Sequence, residues 1–309
     1  MKTAGPSTLS RSAAVACLLG AAFLWSLGGL LIKWIPWDAL AIAGARSIIA
    51  IPVILLYLGR PRFTWSPAQI GGAAAYAATV ICFVLANKLT TAANAILLQY
   101  TAPLYVALLG GPLLGERAGA AAWAALAGTM GGMALFFMDG LGAGGLRGNL
   151  LALASGLSFA LLIVMLRLQK DGSPIETVLL GNIVTAVVCA PFVFRTAPPV
   201  EGLAALVILG VFQLGAAYIL YVAAIRRVTA LEGVLIPVIE PLLNPLWVFL
   251  ALGERPGPWA FAGGVLVLVS VTLYSAFRAG RNGAGNGGHG PSVGASIALR
   301  TSSRNSDGS

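Results

Sequence analysis

Ten apolar stretches of about 20 residues follow one another along this chain of 309 residues. A helix needs about 20 consecutive apolar residues to cross the hydrocarbon core of a bilayer. Of all residues, 58% are hydrophobic and 9% are charged, whereas soluble domains carry about 25% charged residues. The sequence therefore predicts an all-α membrane protein with ten transmembrane helices. They lie at approximately 13–34, 38–58, 68–88, 91–111, 118–138, 148–168, 174–194, 202–224, 228–252 and 257–277.

The basic residues predict how the chain is oriented. With both termini in the cytoplasm, eleven Lys and Arg residues lie in inner loops or at the inner ends of spans, and five lie in outer loops or at the outer ends, as the positive-inside rule requires. The net charge of +9 is spread over loops instead of being clustered, so we expect no nucleic-acid partner. We also expect no cleaved signal, because the first apolar stretch continues to about Ile35 and is long enough to span.

An internal repeat links the two halves of the chain. Residues 90–117, TTAANAILLQYTAPLYVALLGGPLLGER, align without a gap with residues 228–255, VTALEGVLIPVIEPLLNPLWVFLALGER, at a constant shift of 138. Pro103-Leu104 falls on Pro241-Leu242, and the sequence Leu-Gly-Glu-Arg ends both segments. The shift corresponds to five helices, and because five is odd, equivalent helices cross the membrane in opposite directions. This pattern predicts an inverted repeat with a site near the midplane, as in many secondary transporters.

The paired Gly-Glu-Arg motifs, at 115–117 and 253–255, together with Pro103 and Pro241, resemble the EamA domain of the drug/metabolite transporter superfamily. The resemblance covers about residues 12–277. It implies ten helices around a central cavity, arranged as two inverted five-helix repeats, and export of a small metabolite or amino acid across the bacterial inner membrane. The expected segments are a cytoplasmic N-terminal segment (1–12), a first repeat (13–138), a linker (139–147), a second repeat (148–277) and a disordered cytoplasmic tail (278–309).

Glu240 is the most informative polar residue, because it lies about halfway along the ninth apolar stretch. On a helix it shares a face with Asn244 and Trp247. Its counterpart in the first repeat is Ala102, so the carboxyl group belongs to one half only. An ionisable group at this depth is by default a functional-site hypothesis, and the alternative is a carboxyl group held by hydrogen bonds to fix helix packing. Desolvation favours the neutral form of a carboxyl group, so Glu240 is our candidate for proton coupling.

Other polar side chains also lie deep in the predicted spans. Arg46 lies roughly 12 Å along its helix from Asp38. A substrate carboxylate or Glu240 would neutralise it, or its side chain would reach the outer interface. The remaining candidates for a cavity lining are Gln99, Trp25, Tyr76, Gln213 and Asn182, each of which is alternatively a hydrogen-bonding contact between helices.

Several classes of protein fit the sequence poorly. No histidine lies in an apolar stretch and no GxSxG or P-loop motif is present, which disfavours an intramembrane hydrolase or an ATP-driven pump. A channel is disfavoured by the repeat and by the single carboxylate at depth.

We expect no cofactor and no metal site. The expected partners are a small solute, the lipid bilayer and, as a candidate coupling ion, the proton. Both a monomer and a homodimer fit. The motif glutamates, Glu116 and Glu254, are expected to cap helix ends or to form local ion pairs with the arginines beside them.

Overall fold

A computed structural model of the protein describes residues 9–90, 92–136, 138, 145–243, 247 and 258–286. Within these ranges the regular secondary structure is helical, without a strand. The α-helices, numbered in chain order, are α1 (Arg11–Trp25), α2 (Gly28–Trp34), α3 (Ala39–Leu58), α4 (Pro67–Leu89), α5 (Ala92–Gln99), α6 (Ala102–Leu114), α7 (Ala120–Phe136), α8 (Leu146–Leu168), α9 (Pro174–Val193), α10 (Leu203–Ile208), α11 (Ala217–Ile225), α12 (Ala230–Leu235) and α13 (Pro258–Asn286). A π-helical segment, Leu209–Ala216, joins α10 to α11; 3-10 turns lie at Val200–Gly202 and Ile236–Val238, and residues 239–243 are helical.

Seven segments of the described chain are long and apolar enough to cross a membrane, and two further apolar helices are shorter. The seven are Arg11–Trp34, Ala39–Leu58, Pro67–Leu89, Asn94–Leu114, Leu146–Leu168, Pro174–Val193 and Val200–Ile225. The shorter ones are Ala120–Leu135 and Phe261–Phe277. The predicted all-α membrane class is confirmed, whereas the count of ten spans stays a prediction. Helix α13 continues to Asn286 instead of ending at 277 as the hydropathy predicted.

Four of the predicted spans are interrupted along their length. Ser26 and Leu27 separate α1 from α2, Tyr100 and Thr101 separate α5 from α6, and a 3-10 turn follows α12. The fourth interruption is the π-helical segment between α10 and α11. The apolar stretches in the sequence give the length of each span, and their hydropathy does not show where a helix is interrupted.

Local hydrogen bonds explain two of these interruptions. The Ser26 hydroxyl donates to the carbonyl of Phe23 at 2.6 Å, and the Thr101 hydroxyl donates to the carbonyl of Leu98 at 2.7 Å. Hydroxyl side chains that bond to the preceding turn compete with the helical pattern and bend it. Pro103, two residues after Thr101, has no amide hydrogen to continue the ladder. Membrane proteins tolerate such breaks where they are buried in protein or line a cavity.

Small residues allow the helices to pack closely. A Cβ atom added to Gly132 of α7 would lie 2.8 Å from the carbonyl oxygen of Gly263 in α13. One added to Gly181 of α9 would lie 2.6 Å from Cβ of Tyr76 in α4. Because lipid is as apolar as the helix surfaces, this kind of close backbone approach is a main source of stability in membrane bundles.

Polar contacts join the helices at the two ends of the bundle. At one end, which we call the Glu116 end, Glu116 pairs with Arg167 at 2.8 Å and accepts a hydrogen bond from the Ala230 amide at 2.8 Å; Arg11 pairs with Glu232. At the other, the Lys33 end, the Lys33 and Lys88 ammonium groups donate to the carbonyls of Thr90 and Ile35 at 3.1 and 2.7 Å.

Glu116 therefore differs from the expectation of a local cap or ion pair. Its carboxylate bonds to Arg167 in α8 and to the first residue of α12, not to the neighbouring Arg117. The end of α6 thus meets the start of α12, and further along the same two segments Tyr100 contacts Glu240. The two segments run antiparallel. The second motif glutamate, Glu254, lies outside the described residues.

Candidate functional site

The helix interruptions converge on one internal cavity. Each contributes a side chain to its lining: Trp25 from the end of α1, Tyr100 from the break between α5 and α6, Gln213 from the π-helical segment, and Glu240 from the residues after the 3-10 turn. The cavity measures about 40 Å³. One water molecule needs roughly 10–15 Å³, so there is space for a few waters and not for a metabolite.

Five of the eight side chains predicted from the sequence line this cavity. They are Trp25, Arg46, Gln99, Gln213 and Glu240. Trp25 and Glu240 lie at opposite ends of this set in the sequence, and the fold brings all five together because polar groups at membrane depth are stable only when they face protein or water.

Arg46 of α3 lies fully inside the bundle, with 1% of its surface exposed. Its Nη1 donates to Oε1 of Gln213 at 3.2 Å and its Nη2 to the carbonyl of Val80 at 3.3 Å, while Nε has no hydrogen-bond partner in the part of the chain that the structure describes. No carboxylate of the described residues lies within 4 Å of the guanidinium. Of the three alternatives for Arg46, the structure excludes a side chain that reaches the interface, and it shows no ion pair with Glu240.

Glu240 is also buried, with 8% of its surface exposed. The Tyr100 hydroxyl lies 2.6 Å from Glu240 Oε2 and donates to it; the same hydroxyl is 2.9 Å from the carbonyl of Pro237. That carbonyl belongs to the 3-10 turn, where the helical hydrogen-bond ladder changes. Tyr100 therefore connects the break in one repeat segment to the carboxyl group of the other.

Gln99 is held by a chain of hydrogen bonds that runs between helices. Its Nε2 donates to Oγ of Ser155 in α8 at 2.9 Å, and that hydroxyl donates to the carbonyl of Thr79 in α4 at 3.0 Å. Gln99 thus both lines the cavity and links α5 to α8, so the two alternative roles predicted for it coexist.

Aromatic rings form one wall of the cavity. The ring centroid of Trp25 lies 5.8 Å from that of Phe159 and 5.2 Å from that of Tyr218, in edge-to-face arrangements. Such pairs prefer offset or edge-to-face geometry, which fixes the side-chain orientations. Phe83 completes the aromatic lining.

Tyr76 and Asn182, two of the predicted side chains, lie behind this wall rather than in it. Tyr76 is fully buried and its ring packs edge-on to Tyr218, at a centroid distance of 4.9 Å. Asn182 donates to the carbonyl of Val178 at 2.9 Å. Neither lines the cavity, although the Tyr76 hydroxyl and the Asn182 carbonyl oxygen have no hydrogen-bond partner among the described residues.

Asn244, the remaining predicted side chain, lies outside the described residues. Trp247, which was predicted to share its face, donates from its indole nitrogen to Oγ of Ser26 at 3.0 Å and packs edge-on against Phe23. Trp247 therefore contacts the interruption between α1 and α2.

Sequence reasoning missed Tyr100, Thr79 and Tyr218, which also line the cavity. A signal for Tyr100 is present in the repeat: its counterpart at the shift of 138 is Val238, so its hydroxyl, like the Glu240 carboxyl, occurs in one half only. The described residues contain no group of three His, Cys, Asp or Glu side chains that would hold a metal ion.

Comparison with known proteins now identifies the family. The model of the EamA-like transporter family matches residues 12–138 and again residues 146–276. The chain belongs to the EamA-like transporter family. It is thus a multi-pass membrane protein of a transporter family within the drug/metabolite transporter superfamily, as its motifs predicted.

Two known proteins are similar to this chain over most of its length. The chain is 29% identical over 251 residues, covering 79% of this chain and 86% of the other, to uncharacterized protein PA1977 of Pseudomonas aeruginosa. It also resembles a crystal structure with a TM-score of 0.74 at 21% identity, covering 87% of this chain and 99% of that one. The second likeness concerns the fold alone.

Proposed function

We propose that this EamA-like protein is a secondary transporter that exports a small metabolite or amino acid across the bacterial inner membrane by alternating access. The observation that carries the proposal is the convergence of four helix interruptions on a buried cavity that holds both Arg46 and Glu240. Broken helices whose freed backbone groups and polar side chains face a midplane site are typical of secondary transporters. An uptake carrier or exchanger would use the same geometry in the other direction.

The proposed architecture has ten helices in two inverted repeats, 13–138 and 148–277, joined by the linker 139–147. The antiparallel contacts between the segment of α5 and α6 and the segment that begins with α12 support this arrangement, because repeat-related segments of opposite orientation must run antiparallel. We place the N-terminal segment (1–12) and the tail (278–309) in the cytoplasm, which makes the Glu116 end the cytoplasmic end.

The small cavity and the contacts at both ends fit a closed step of a transport cycle. A volume of about 40 Å³ excludes a metabolite, so the lining has to move apart before a solute enters. Opening toward the cytoplasm would separate the end of α6 from the start of α12, where Glu116 bonds to the Ala230 amide. Opening toward the outside would separate the Lys33 end. Alternating access then means that one set of contacts breaks while the other persists.

Glu240 is the proposed coupling residue. In its neutral form the carboxyl group is a hydrogen-bond partner for Tyr100, and in its ionised form it needs water or a cationic group as well. A carboxyl group that reaches water alternately from the two sides would exchange the inward movement of a proton for the outward movement of a solute. This geometry favours a carrier over a channel, in which solute flux would not depend on a proton gradient.

A growth-protection screen with two matched variants tests this function. The host lacks related exporters and is exposed to toxic amino acids, analogues and drugs; the protein should protect it against at least one of them. Glu240→Gln preserves the shape of the side chain and an acceptor for Tyr100, and should abolish accumulation against a gradient while expression and binding persist. Ala102→Ser, the corresponding position in the other repeat, is the control and should protect as wild type does.

Two results would contradict the proposal. Protection against none of the compounds by a correctly inserted protein refutes export of this solute class. Uphill transport by Glu240→Gln with an unchanged response to an imposed pH gradient shows that the carboxyl group is structural and that coupling lies elsewhere.

A further inference from the structure

The Arg46 guanidinium is a buried cation without an anionic partner among the described residues. It carries five N–H donors, yet the hydrogen bonds it makes are long and go to two neutral oxygens, those of Gln213 and Val80, while Nε makes none. A charge buried without a counter-charge is costly. Proteins tolerate such a buried charge when a ligand, a metal or a partner supplies the opposite charge. The position of Arg46 on the cavity points to a ligand.

The carboxylates of the described chain do not provide this counter-charge. Two of them, Asp171 and Glu201, are exposed in loops or turns away from the cavity. The others make contacts of their own: Asp38 with the first amides of α3, Glu116 with Arg167, Glu176 with the Arg62 amide, Glu232 with Arg11, and Glu240 with Tyr100. Glu240 lines the same cavity as Arg46 but lies beyond ion-pair distance from it.

We infer that the transported solute carries a carboxylate and that Arg46 binds it. This inference rests on the proposed function, since it assigns the cavity to the solute. A planar guanidinium offers parallel N–H donors at the spacing of the two oxygens of a carboxylate, a match that an ammonium or an amide cannot make. Gln213, which accepts from Nη1, holds the guanidinium in orientation and is a positioning residue.

The rest of the lining describes the body of the solute. Trp25, Phe83, Phe159 and Tyr218 offer aromatic surface to an apolar side chain or ring. Glu240 and Tyr100 offer a carboxyl group and a hydroxyl to an amino group, if the solute has one. The site therefore suits a solute with a carboxylate and an apolar body. The presence or absence of an amino group on that solute distinguishes amino acids from simple organic acids.

Binding to the purified full-length protein in detergent tests the inference without any gradient. The probes are two pairs in which a neutral amide replaces the carboxylate: phenylalanine and its amide, and 3-phenylpropionate and 3-phenylpropionamide. Dissociation constants come from the rise in unfolding temperature with ligand concentration. In at least one pair, the wild type should bind the carboxylate about 30-fold or more tightly than the amide, the effect of leaving a buried charge unpaired.

Variants of Arg46 assign this preference to the guanidinium. Arg46→Gln should bind the acid and the amide alike, and Arg46→Lys should keep part of the preference, because it retains the charge but not the planar fork. Arg60→Gln removes an exposed arginine beyond α3 and should behave as wild type. Preference for phenylalanine over 3-phenylpropionate would place an amino group beside Glu240, and equal affinity would identify a simple carboxylate site.

The inference is overturned if neither pair shows a carboxylate preference in the wild type, or if Arg46→Gln keeps it in full. The wild-type comparison decides alone should Arg46→Gln fail to fold. A protein that binds carboxylates at Arg46 but transports nothing would refute the proposed function and leave Arg46 as a carboxylate-binding residue. A protein that transports only solutes without a carboxylate would leave the proposed function standing and overturn the inference.

Discussion

Replacement of Tyr100 by Phe tests the connection between the two repeat segments at the cavity. The substitution removes one hydroxyl and leaves the buried ring in place. It deletes the 2.6 Å hydrogen bond to Glu240 Oε2 and the 2.9 Å contact with the Pro237 carbonyl. The carboxyl group would then have no donor among the described residues.

The expected loss of stability follows mainly from the hydrogen bond to Glu240. The Tyr100 hydroxyl has one hydrogen, which it donates to the carboxyl oxygen, so the longer contact with the Pro237 carbonyl adds little. A hydrogen bond to a carboxyl group contributes about 1–3 kcal/mol, depending on its charge. Tyr100→Phe should therefore lower the free energy of unfolding by roughly 1–3 kcal/mol, a common size for a single substitution. Little of this is offset by solvent, because Tyr100 is 4% exposed.

Equilibrium unfolding in mixed micelles, combined with a double-mutant cycle, measures this effect. Tyr100→Phe, Glu240→Leu and the double variant should show a coupling energy of at least about 1 kcal/mol, because the first change removes the donor and the second removes the acceptor of the same hydrogen bond. Tyr105→Phe is the control: it lies about one turn along the same segment, its hydroxyl makes no hydrogen bond with the described residues, and it should stay within about 0.5 kcal/mol of wild type. A coupling energy below about 0.5 kcal/mol would show that Tyr100 and Glu240 do not interact and would refute this description of the site.

Three further predictions concern the scaffold. Glu116→Gln should lower the unfolding free energy by about 1–2 kcal/mol, because a partly exposed ion pair loses its charge, whereas the exposed Asp171→Asn should have no measurable effect in the same unfolding titration. Gly132→Ala should lower the unfolding free energy by about 1–3 kcal/mol, because its methyl group would meet backbone atoms of α13. Gly131→Ala is the control and should stay near wild type, because a methyl group there meets nothing within 4 Å. Equal losses of stability in the two variants would contradict the close packing of α7 and α13. Removal of residues 287–309, which contain few apolar side chains to dock, should leave transport by the normally expressed protein unchanged, and a loss of transport would give this segment a role.

The polar side chains of the cavity were largely predictable from the sequence. Arg46, Gln99, Gln213 and Glu240 occur in apolar stretches, and the high cost of facing lipid leaves the interior of the bundle as their only stable location. This argument requires no knowledge of how the helices pack. It predicts that such groups are internal, and the structure shows that these four meet at one cavity.

The positions of Tyr76 and Asn182 could not be predicted in the same way. A polar face that packs against a neighbouring helix and one that lines a cavity have the same composition. The difference is a rotation of the helix by a fraction of a turn, which depends on close contacts such as that of Gly181 with Tyr76. Those contacts connect α4 and α9, which lie far apart in the sequence.

The helix interruptions and the partners of Glu116 were hidden for a related reason. Ser26 and Thr101 interrupt their helices through short-range hydrogen bonds, but most serine and threonine residues in apolar helices do not. The bond from the Ala230 amide to Glu116 joins residues 114 positions apart. A sequence motif places Glu116 at a helix end, and only the three-dimensional fold shows which helix it contacts.

Counterflow in proteoliposomes tests most directly whether this protein is an alternating-access carrier. Vesicles that hold the purified protein are loaded with a high concentration of the unlabelled solute found by the protection screen and are diluted into a trace of the labelled solute. Our account predicts that the label accumulates transiently above its equilibrium level, because the site returns loaded from one side to the other. Uptake that rises to equilibrium without an overshoot, at a rate unaffected by the internal solute, would show an open pore and contradict alternating access.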